Sequence, residues 1–358
     1  MVMTDMLSDD YGGKRVLVTG HTGFKGSWLC CWLRRLGAEV AGYSLPPVTK
    51  PSHHELLAPK FRQWTANIGN RAAVDAAFRE FRPKVVFHMA AQAIVRQSYR
   101  DPVETYESNV MGLVNVLDAC RRAESVRAVV AVTSDKCYLN REQASPYREE
   151  DRLGGHDPYS ASKACAELIV DSYRKSFLDR HGIGLASARA GNVIGGGDWA
   201  EDRLVPDLVR ALAAGNVLSV RSPEATRPWQ HVLDPLGGYL LLGLRLLQGE
   251  ASFADAWNFG PDAAGNLTVI EILNMLQSYW PNVRYETGSR EDQPHEARQL
   301  ALDSSKARRL LEWRPVWNAD QAVRRTADWY RAYSDRQEIV TLMQIEEYSA
   351  AMQAGVGS

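Results

Sequence analysis

Residues 19 to 26 read Thr-Gly-His-Thr-Gly-Phe-Lys-Gly, and no other stretch restricts the fold so tightly. They follow a short apolar run, Arg15-Val16-Leu17-Val18-Thr19, and precede a segment in which Trp28, Leu29, Trp32, Leu33 and Leu36 recur at helical spacing until Gly37. Glycines spaced G-x-x-G-x-x-G between a strand and a helix have a physical use. The first allows a tight turn, the next lets a pyrophosphate approach bare backbone, and the last lets helix and strand pack closely. The helix N-terminus adds free N–H groups and the positive end of its dipole. Gly20, Thr22, Gly23, Phe24, Lys25 and Gly26 are therefore read as a dinucleotide-binding loop.

The chain beyond keeps the same rhythm. Strand-like segments at 39–43, 85–89, 128–133 and 184–189 alternate with helical ones at 72–81, 107–123 and 158–180. This alternation predicts an α/β fold, a Rossmann doubly wound parallel sheet covered on both faces, with a smaller C-terminal α/β substrate lobe. The expected division is a dinucleotide-binding domain at 12–190, rejoined by 232–258, and a substrate lobe at 191–231 and 259–345. A helix is expected at 236–248, helical continuation is expected from Asp335, and 1–11 and 346–358 read as flexible termini.

Bulk properties exclude several functions. The 42 Lys and Arg balance 43 Asp and Glu, which leaves no basic footprint for nucleic acid. No apolar run is long enough to cross a bilayer, and the polar, acidic N-terminus lacks a signal-peptide pattern, so a cytoplasmic enzyme is expected. The five cysteines, Cys30, Cys31, Cys120, Cys137 and Cys165, form no C-x-x-C pair, and no metal site is expected. His53-His54 reads as a solvated loop.

Tyr159-Ser160-Ala161-Ser162-Lys163 opens the helix after Asp157-Pro158. Spacing of i, i+4 puts Tyr159 and Lys163 on one face. A neighbouring ammonium favours the phenolate, so the pair predicts a tyrosine pKa below about 10 and a base for an alcohol that loses hydride. Tyr43-Ser44-Leu45, at the end of the second strand, offers Ser44 to a ribose but neither an acid nor an arginine, which leaves NAD and NADP both open.

These residues together resemble the extended short-chain dehydrogenase/reductase family along nearly the whole chain. His88-Met89-Ala90-Ala91-Gln92 matches that family's third cofactor stretch, and Asn109 follows it. Longer strings are similar to the nucleotide-sugar 4,6-dehydratases, in particular those acting on CDP-glucose. They are the stretch from His21 to Leu29, Thr133-Ser134-Asp135-Lys136-Cys137-Tyr138, the stretch from Arg189 to Trp199, and Arg227-Pro228-Trp229-Gln230-His231-Val232.

The resemblance implies NAD as cofactor, held in part by Ala90, Ala91, Gln92 and Asn109, and a three-step conversion of CDP-glucose. C4 is oxidised, water leaves across C5–C6, and hydride returns to C6. Tyr159 and Lys163 serve the oxidation, with Ser134 on the reacting hydroxyl, and Asp135 is the acid for the departing 6-hydroxyl. Many relatives carry Glu as the C5 base where this chain has Lys136. A desolvated Lys136 with a lowered pKa, or a Lys136 that stabilises the enolate, both remain open. Asn192, Arg227 and Arg298 are candidates for the diphosphate, Arg96, Ser98 and Tyr99 for the hexose, and Trp199 and Trp229 for the base or the core. A 4-epimerase or 4-reductase would share Tyr159 and Lys163, and a silent NAD-binding regulator would need neither. Val114, Leu117, Leu168, Ile169, Val170 and Tyr173 suggest a homodimer through paired helices. The pathway implied is deoxysugar supply for lipopolysaccharide O-antigen.

Overall fold

The computed structural model describes residues 7, 9–143, 145–220, 222–288 and 299–354. Seven parallel strands form its centre: β1 (Arg15–Thr19), β2 (Glu39–Ser44), β3 (Arg62–Thr65), β4 (Val85–His88), β5 (Ala128–Val132), β6 (Gly184–Ala190) and β7 (Ala256–Phe259). Their order is β7-β6-β5-β4-β1-β2-β3. Direction of winding reverses between β1 and β4, and such a reversal opens a crevice at the carboxyl ends of the strands. The register levels that rim: Thr19 lies opposite both Tyr43 and His88, and His88 lies opposite Ala131.

Helices cover both faces, which is why β4 and β5 read as unbroken apolar runs. On one face lie α1 (Phe24–Arg35) and α5 (Leu233–Leu247), and on the other α2 (Arg71–Phe81), α3 (Gly112–Arg122) and α4 (Pro158–Tyr173). Helix α5 is buried along its length apart from Arg245 and Leu247, so its sequence shows little amphipathic pattern. A π-helical turn, Glu107–Met111, precedes α3, so the expected single helix at 107–123 changes hydrogen-bond register there. The smaller lobe pairs short strands two by two, 193–194 with 230–231, 226–228 with 266–268, and 218–220 with 285–287. Helices α6 (Val269–Tyr279) and α7 (Ala319–Arg336) pack on them.

Several expectations need correction. Strand β3 is a polar edge strand and β7 is four residues long, and neither carried a readable period. His53 and His54 are not in a solvated loop. They open a short helix and are buried, with His53 Nδ1 2.7 Å from Ser27 Oγ and Nε2 2.7 Å from Thr341 Oγ1. The C-terminal segment is helical as far as residue 354. The chain turns at Gln337 with φ 55° and then forms α8 (Thr341–Ala354). Tyr348 anchors α8, stacking edge-on against Trp32 and Trp317 and donating to Asp234 Oδ1 at 2.9 Å. At the other end Tyr11 is fully buried and donates to the Leu240 carbonyl at 2.8 Å. The remainder of the terminal expectation, 1–6, 8 and 355–358, lies outside the described residues.

Candidate active site

Absent side chains shape one end of the crevice. Gly20 adopts φ +74°, and a Cβ there would lie 2.7 Å from the Ala90 nitrogen. A Cβ on Gly26 would lie 2.2 Å from the Gly20 carbonyl oxygen, so the loop closes only around glycine. Gly23 stands at the N-cap of α1, and no side chain caps that helix. A bare helix terminus beneath a glycine turn fits a dinucleotide pyrophosphate. Thr22 Oγ1 donates to the Leu45 carbonyl (2.9 Å) and meets Ser44 Oγ at 2.8 Å, joining the loop to the end of β2.

The neighbouring strand end is tied to the same loop. Thr19 Oγ1 accepts from the Met89 and Ala90 amides (3.1 and 3.2 Å) and reaches His88 Nδ1 at 2.8 Å. Burial holds His88 near pKa 3, so the ring is neutral. Asn109 Nδ2 donates to the Gln92 carbonyl (3.0 Å) and to Ser162 Oγ (2.8 Å), while its Oδ1 accepts from the Gln92 amide at 2.8 Å. Gln92 Nε2 donates to Thr105 Oγ1 at 2.9 Å. Asn109 thus binds the loop to α4 and Gln92 binds it to Thr105, whereas Ala90 and Ala91 are half-buried on its rim.

Buried polar groups shape the other end. Asp157 caps α4, accepting from the Ser160 amide (2.9 Å) and hydroxyl (2.6 Å), and Pro158 occupies the first turn. The start of the helix thereby fixes Tyr159 and Lys163, which are 7% and 5% exposed. Opposite them β5 ends at Val132, and Ser134 caps a short turn, Asp135–Cys137. The Ser134 hydroxyl donates to Asp135 Oδ1 at 3.0 Å and lies near enough to Tyr159 to act on its phenol. Asp135 is 2% exposed, and its Oδ2 has no partner among the described residues. Desolvation raises its pKa against the pull of Lys136, Ser134, Arg227 and Lys25. That leaves a carboxyl able to hold a proton and one oxygen free to deliver it.

The expected lowering of the Tyr159 pKa is not found. Burial pushes the phenol up to about 12, resisted chiefly by the nearby Ser134 hydroxyl and by Arg203. Lys163 Nζ stands 6.0 Å from the Tyr159 ring centroid and donates at 3.4 Å to the Val132 carbonyl. Lys163 is itself lowered to about 8 by desolvation, opposed by Glu167. Spacing brings the two residues together, but in the protein alone desolvation outweighs their mutual electrostatics.

Further cations face this cavity. Lys25 is lowered to about 8 by desolvation, with Arg203, Asp135, Lys163 and Asp198 acting on it. Arg227 is buried, donates to the Thr226 carbonyl at 2.9 Å, and acts on Asp135. Asn192 is half-buried beside Gly191, where a Cβ would come within 3.2 Å of Asp135 Oδ2. Lys136 is half-buried with its amide on Ser134 Oγ at 3.2 Å.

A family model described as GDP-mannose 4,6 dehydratase matches residues 17–326, which includes both ends of this crevice. The chain belongs to that family. Among its relatives, the CDP-glucose 4,6-dehydratase of Salmonella typhimurium strain LT2 is 45% identical over 95% of this chain and 97% of the relative. Solved structures with the same fold include a dTDP-glucose 4,6-dehydratase from Streptomyces venezuelae with NAD and TYD bound. Its TM-score is 0.76 at 25% identity, covering 92% and 99% of the two chains. The UDP-glucose 4-epimerase of Thermus thermophilus in complex with NAD gives 0.75 at 27% identity, covering 88% and 99%.

Within this dehydratase family scaffold, some sequence candidates stand apart from the reacting groups. Arg96 Nη1 pairs with Asp202 at 3.4 Å on the rim. Ser98 is buried and donates to the Val95 carbonyl at 2.6 Å, whereas Tyr99 is exposed. Trp199 packs edge-on against Trp329, Tyr330 and Tyr333, and Trp229 Nε1 donates to the Leu267 carbonyl at 2.9 Å, so both are core residues. Arg298 lies outside the described residues. Sequence reasoning missed Arg203, held by Asp198 at 2.8 Å and acting on Tyr159. The only signal was an acid in Gly195-Gly196-Gly197-Asp198 with an arginine five residues later.

Proposed function

We propose that the protein is a CDP-glucose 4,6-dehydratase, a hydro-lyase that converts CDP-D-glucose to CDP-4-dehydro-6-deoxy-D-glucose and water with NAD as cofactor. The observation that carries this reading is Asp135, a buried carboxyl with raised pKa and an unpartnered oxygen, one hydroxyl away from Tyr159. An epimerase or reductase needs the Tyr159–Lys163 pair but no acid for a departing hydroxyl. The choice of a CDP sugar rests on the Salmonella relative.

Gly20, Thr22, Gly23, Phe24, Lys25 and Gly26 hold the dinucleotide phosphates, Ser44 with Thr22 a ribose, and Ala90 and Ala91 the crevice wall, with Gln92 and Asn109 fixing that wall. When bound, NAD supplies a hydride acceptor and donor together with a cationic ring whose charge favours the Tyr159 phenolate. Tyr159 takes the proton of the sugar 4-hydroxyl, and Ser134 hydrogen-bonds the same oxygen. Lys163 keeps a positive charge beside the phenol. The C4 ketone acidifies C5–H, and Asp135 gives its proton to the departing 6-hydroxyl as water forms. Lys136 is assigned to the C5 step, either as an unprotonated base or as a cation that stabilises the enolate while water or another group takes the proton. Asn192, Arg227 and Arg298 are assigned to the diphosphate and Arg96 to the hexose. The proposed division assigns the cofactor to 12–190 with 232–258 and the sugar nucleotide to 191–231 with 259–345.

A homodimer is part of this proposal. Tyr106, Met111 and Leu168 are exposed apolar side chains around α3 and α4, with Leu168 61% exposed. Leu117 and Val170, counted from sequence toward this face, are buried in the core instead. Light scattering at micromolar concentration gives twice the chain mass on this proposal, and the chain mass overturns it. No helix among the described residues is long and apolar enough to cross a membrane. Five free cysteines suit a reducing cytoplasm, and deoxysugar supply for O-antigen is the proposed role.

Purified protein with NAD is offered CDP-glucose, dTDP-glucose, GDP-mannose and UDP-glucose. The alkaline absorbance of 4-keto sugars is followed and loss of one water is confirmed by mass. Turnover of CDP-glucose alone supports the reading. Turnover of another nucleotide sugar keeps the reaction and discards the substrate. Inversion at C4 without water loss replaces the dehydratase by an epimerase.

A further inference from the structure

We infer that Glu167 is a positioning residue that clamps α4 to the ends of β5 and β6 and supplies the buried negative charge that keeps Lys163 protonated. The inference rests on the dehydratase reading for its kinetic consequence and on the fold alone for its structural one.

Glu167 follows Lys163 by one helical turn, on the same face of α4. Both carboxylate oxygens are engaged. Oε1 accepts from Thr133 Oγ1, the residue immediately before Ser134. Oε2 accepts from Ser187 Oγ and from Arg189 Nη2, each at 2.7 Å. The Glu167 and Arg189 side chains are 3% and 4% exposed. One carboxylate thus joins the helix bearing Tyr159 and Lys163 to the strand end bearing Ser134 and Asp135. It also joins both to the strand that runs into Gly191 and Asn192.

Arg189 extends the clamp. Its Nη1 donates to Tyr138 Oη (2.7 Å) and to the Glu149 carbonyl (3.0 Å). Tyr138 Oη donates to Asn258 Oδ1 at 2.7 Å, and Asn258 Nδ2 donates to the Tyr147 and Asp303 carbonyls. Removing Glu167 alone therefore leaves Arg189 as a buried, uncompensated charge.

The titratable groups facing Lys163 are few. On α4 they are Tyr159 and Glu167, after β5 it is Cys137, on β4 it is His88, and on α1 it is Lys25. Burial raises the Cys137 thiol far above its usual range, His88 is neutral, and Lys25 is a cation. Of these groups Glu167 alone offers a negative charge at neutral pH. One helical turn apart in a poorly solvated site, the two charges act on each other without direct contact.

The test compares wild type with Glu167→Gln, Glu167→Asp and the double variant Glu167→Gln/Arg189→Gln, which removes both members of the ion pair. With NAD and CDP-glucose, kcat is measured from pH 6 to 9.5. The expected result is a falling alkaline limb moved down by about one to two pH units in both Gln variants. KM should stay within about twofold, and Glu167→Asp should keep the wild-type limb at reduced kcat. A double variant with the wild-type limb overturns the inference, because Glu167 then only neutralises Arg189. Denaturant unfolding across pH 6–11 reads Lys163 without turnover. The rise of stability with pH caused by Lys163 deprotonation should begin about one to two units lower in the double variant. An unmoved rise also overturns the inference. If wild type leaves CDP-glucose unchanged, the functional reading fails, and unfolding alone decides this one.

Discussion

Gly26 and Asp135 face the same crevice under opposite constraints. At the glycine loop bare backbone forms the surface, and one added carbon on Gly26 would fall 2.2 Å from the Gly20 carbonyl oxygen. Charge there comes from a helix end and needs no particular side chain. At the ends of β5 and α4 the shape tolerates an isosteric change, but every proton matters. Tyr159, Lys163 and Asp135 are each displaced from their ordinary pKa by burial. One end is sensitive to volume and the other to protonation.

Substitutions that exchange those sensitivities test the contrast. The largest expected effect is Tyr159→Phe, which keeps the volume and removes the hydroxyl. It should lower kcat by about a thousandfold while NAD still binds, as shown by turnover assays beside a cofactor titration. Asp135→Asn keeps the shape and removes the acid. A loss of about a hundredfold or more in keto-sugar formation is expected, with reduced nicotinamide absorbance building up because oxidation outruns elimination. Equal loss of oxidation and elimination would place Asp135 in positioning rather than acid catalysis.

Gly26→Ala inverts the test, adding one carbon and no charge. NAD affinity should fall by about 30- to 100-fold, an effect of about 2–3 kcal/mol, read by calorimetric titration. Normal binding in this variant would break the contrast at its volume-sensitive end.

Lys163 gives an effect with a defined sign. Its pKa is about 8 in the folded protein against 10.5 for an ordinary lysine. Below pH 8 both states carry the proton and the folded state bears the full cost of burying it. Between pH 8 and 10.5 the folded state releases the proton first, so stability rises with pH. Lys163→Met should remove that rise, about 3 kcal/mol, measured as the difference between unfolding profiles. Smallest is Thr22→Val, which breaks the link to Ser44 and Leu45 and should weaken NAD by about three- to fivefold, about 1 kcal/mol.

Legibility in the sequence followed the range of the interaction. The glycine spacing, the cap Asp157-Pro158 and the i, i+4 relation of Tyr159 to Lys163 are local and were readable. Strand β3, Arg62–Thr65, was not, because an edge strand needs no apolar face and its partners in β2 are 21 residues away. His53 and Thr341 are 288 residues apart and reveal their contact only when folded. Tyr348 escaped for the same reason, since the groove that buries it is made by Trp32, Trp317 and Asp234.

By itself the sequence determined the parallel α/β architecture, the strand–glycine loop–helix turn and the shared helix face of Tyr159 and Lys163. Each depends on backbone geometry, periodicity or residues a few positions apart. Tertiary structure alone decided their protonation. It also placed Arg203 beside Tyr159, set Glu167 between Lys163 and Arg189, and turned Asn109 toward the Gln92 loop. A pKa follows from how much water is removed and which charges remain, and both are set by segments that meet only when the sheet closes.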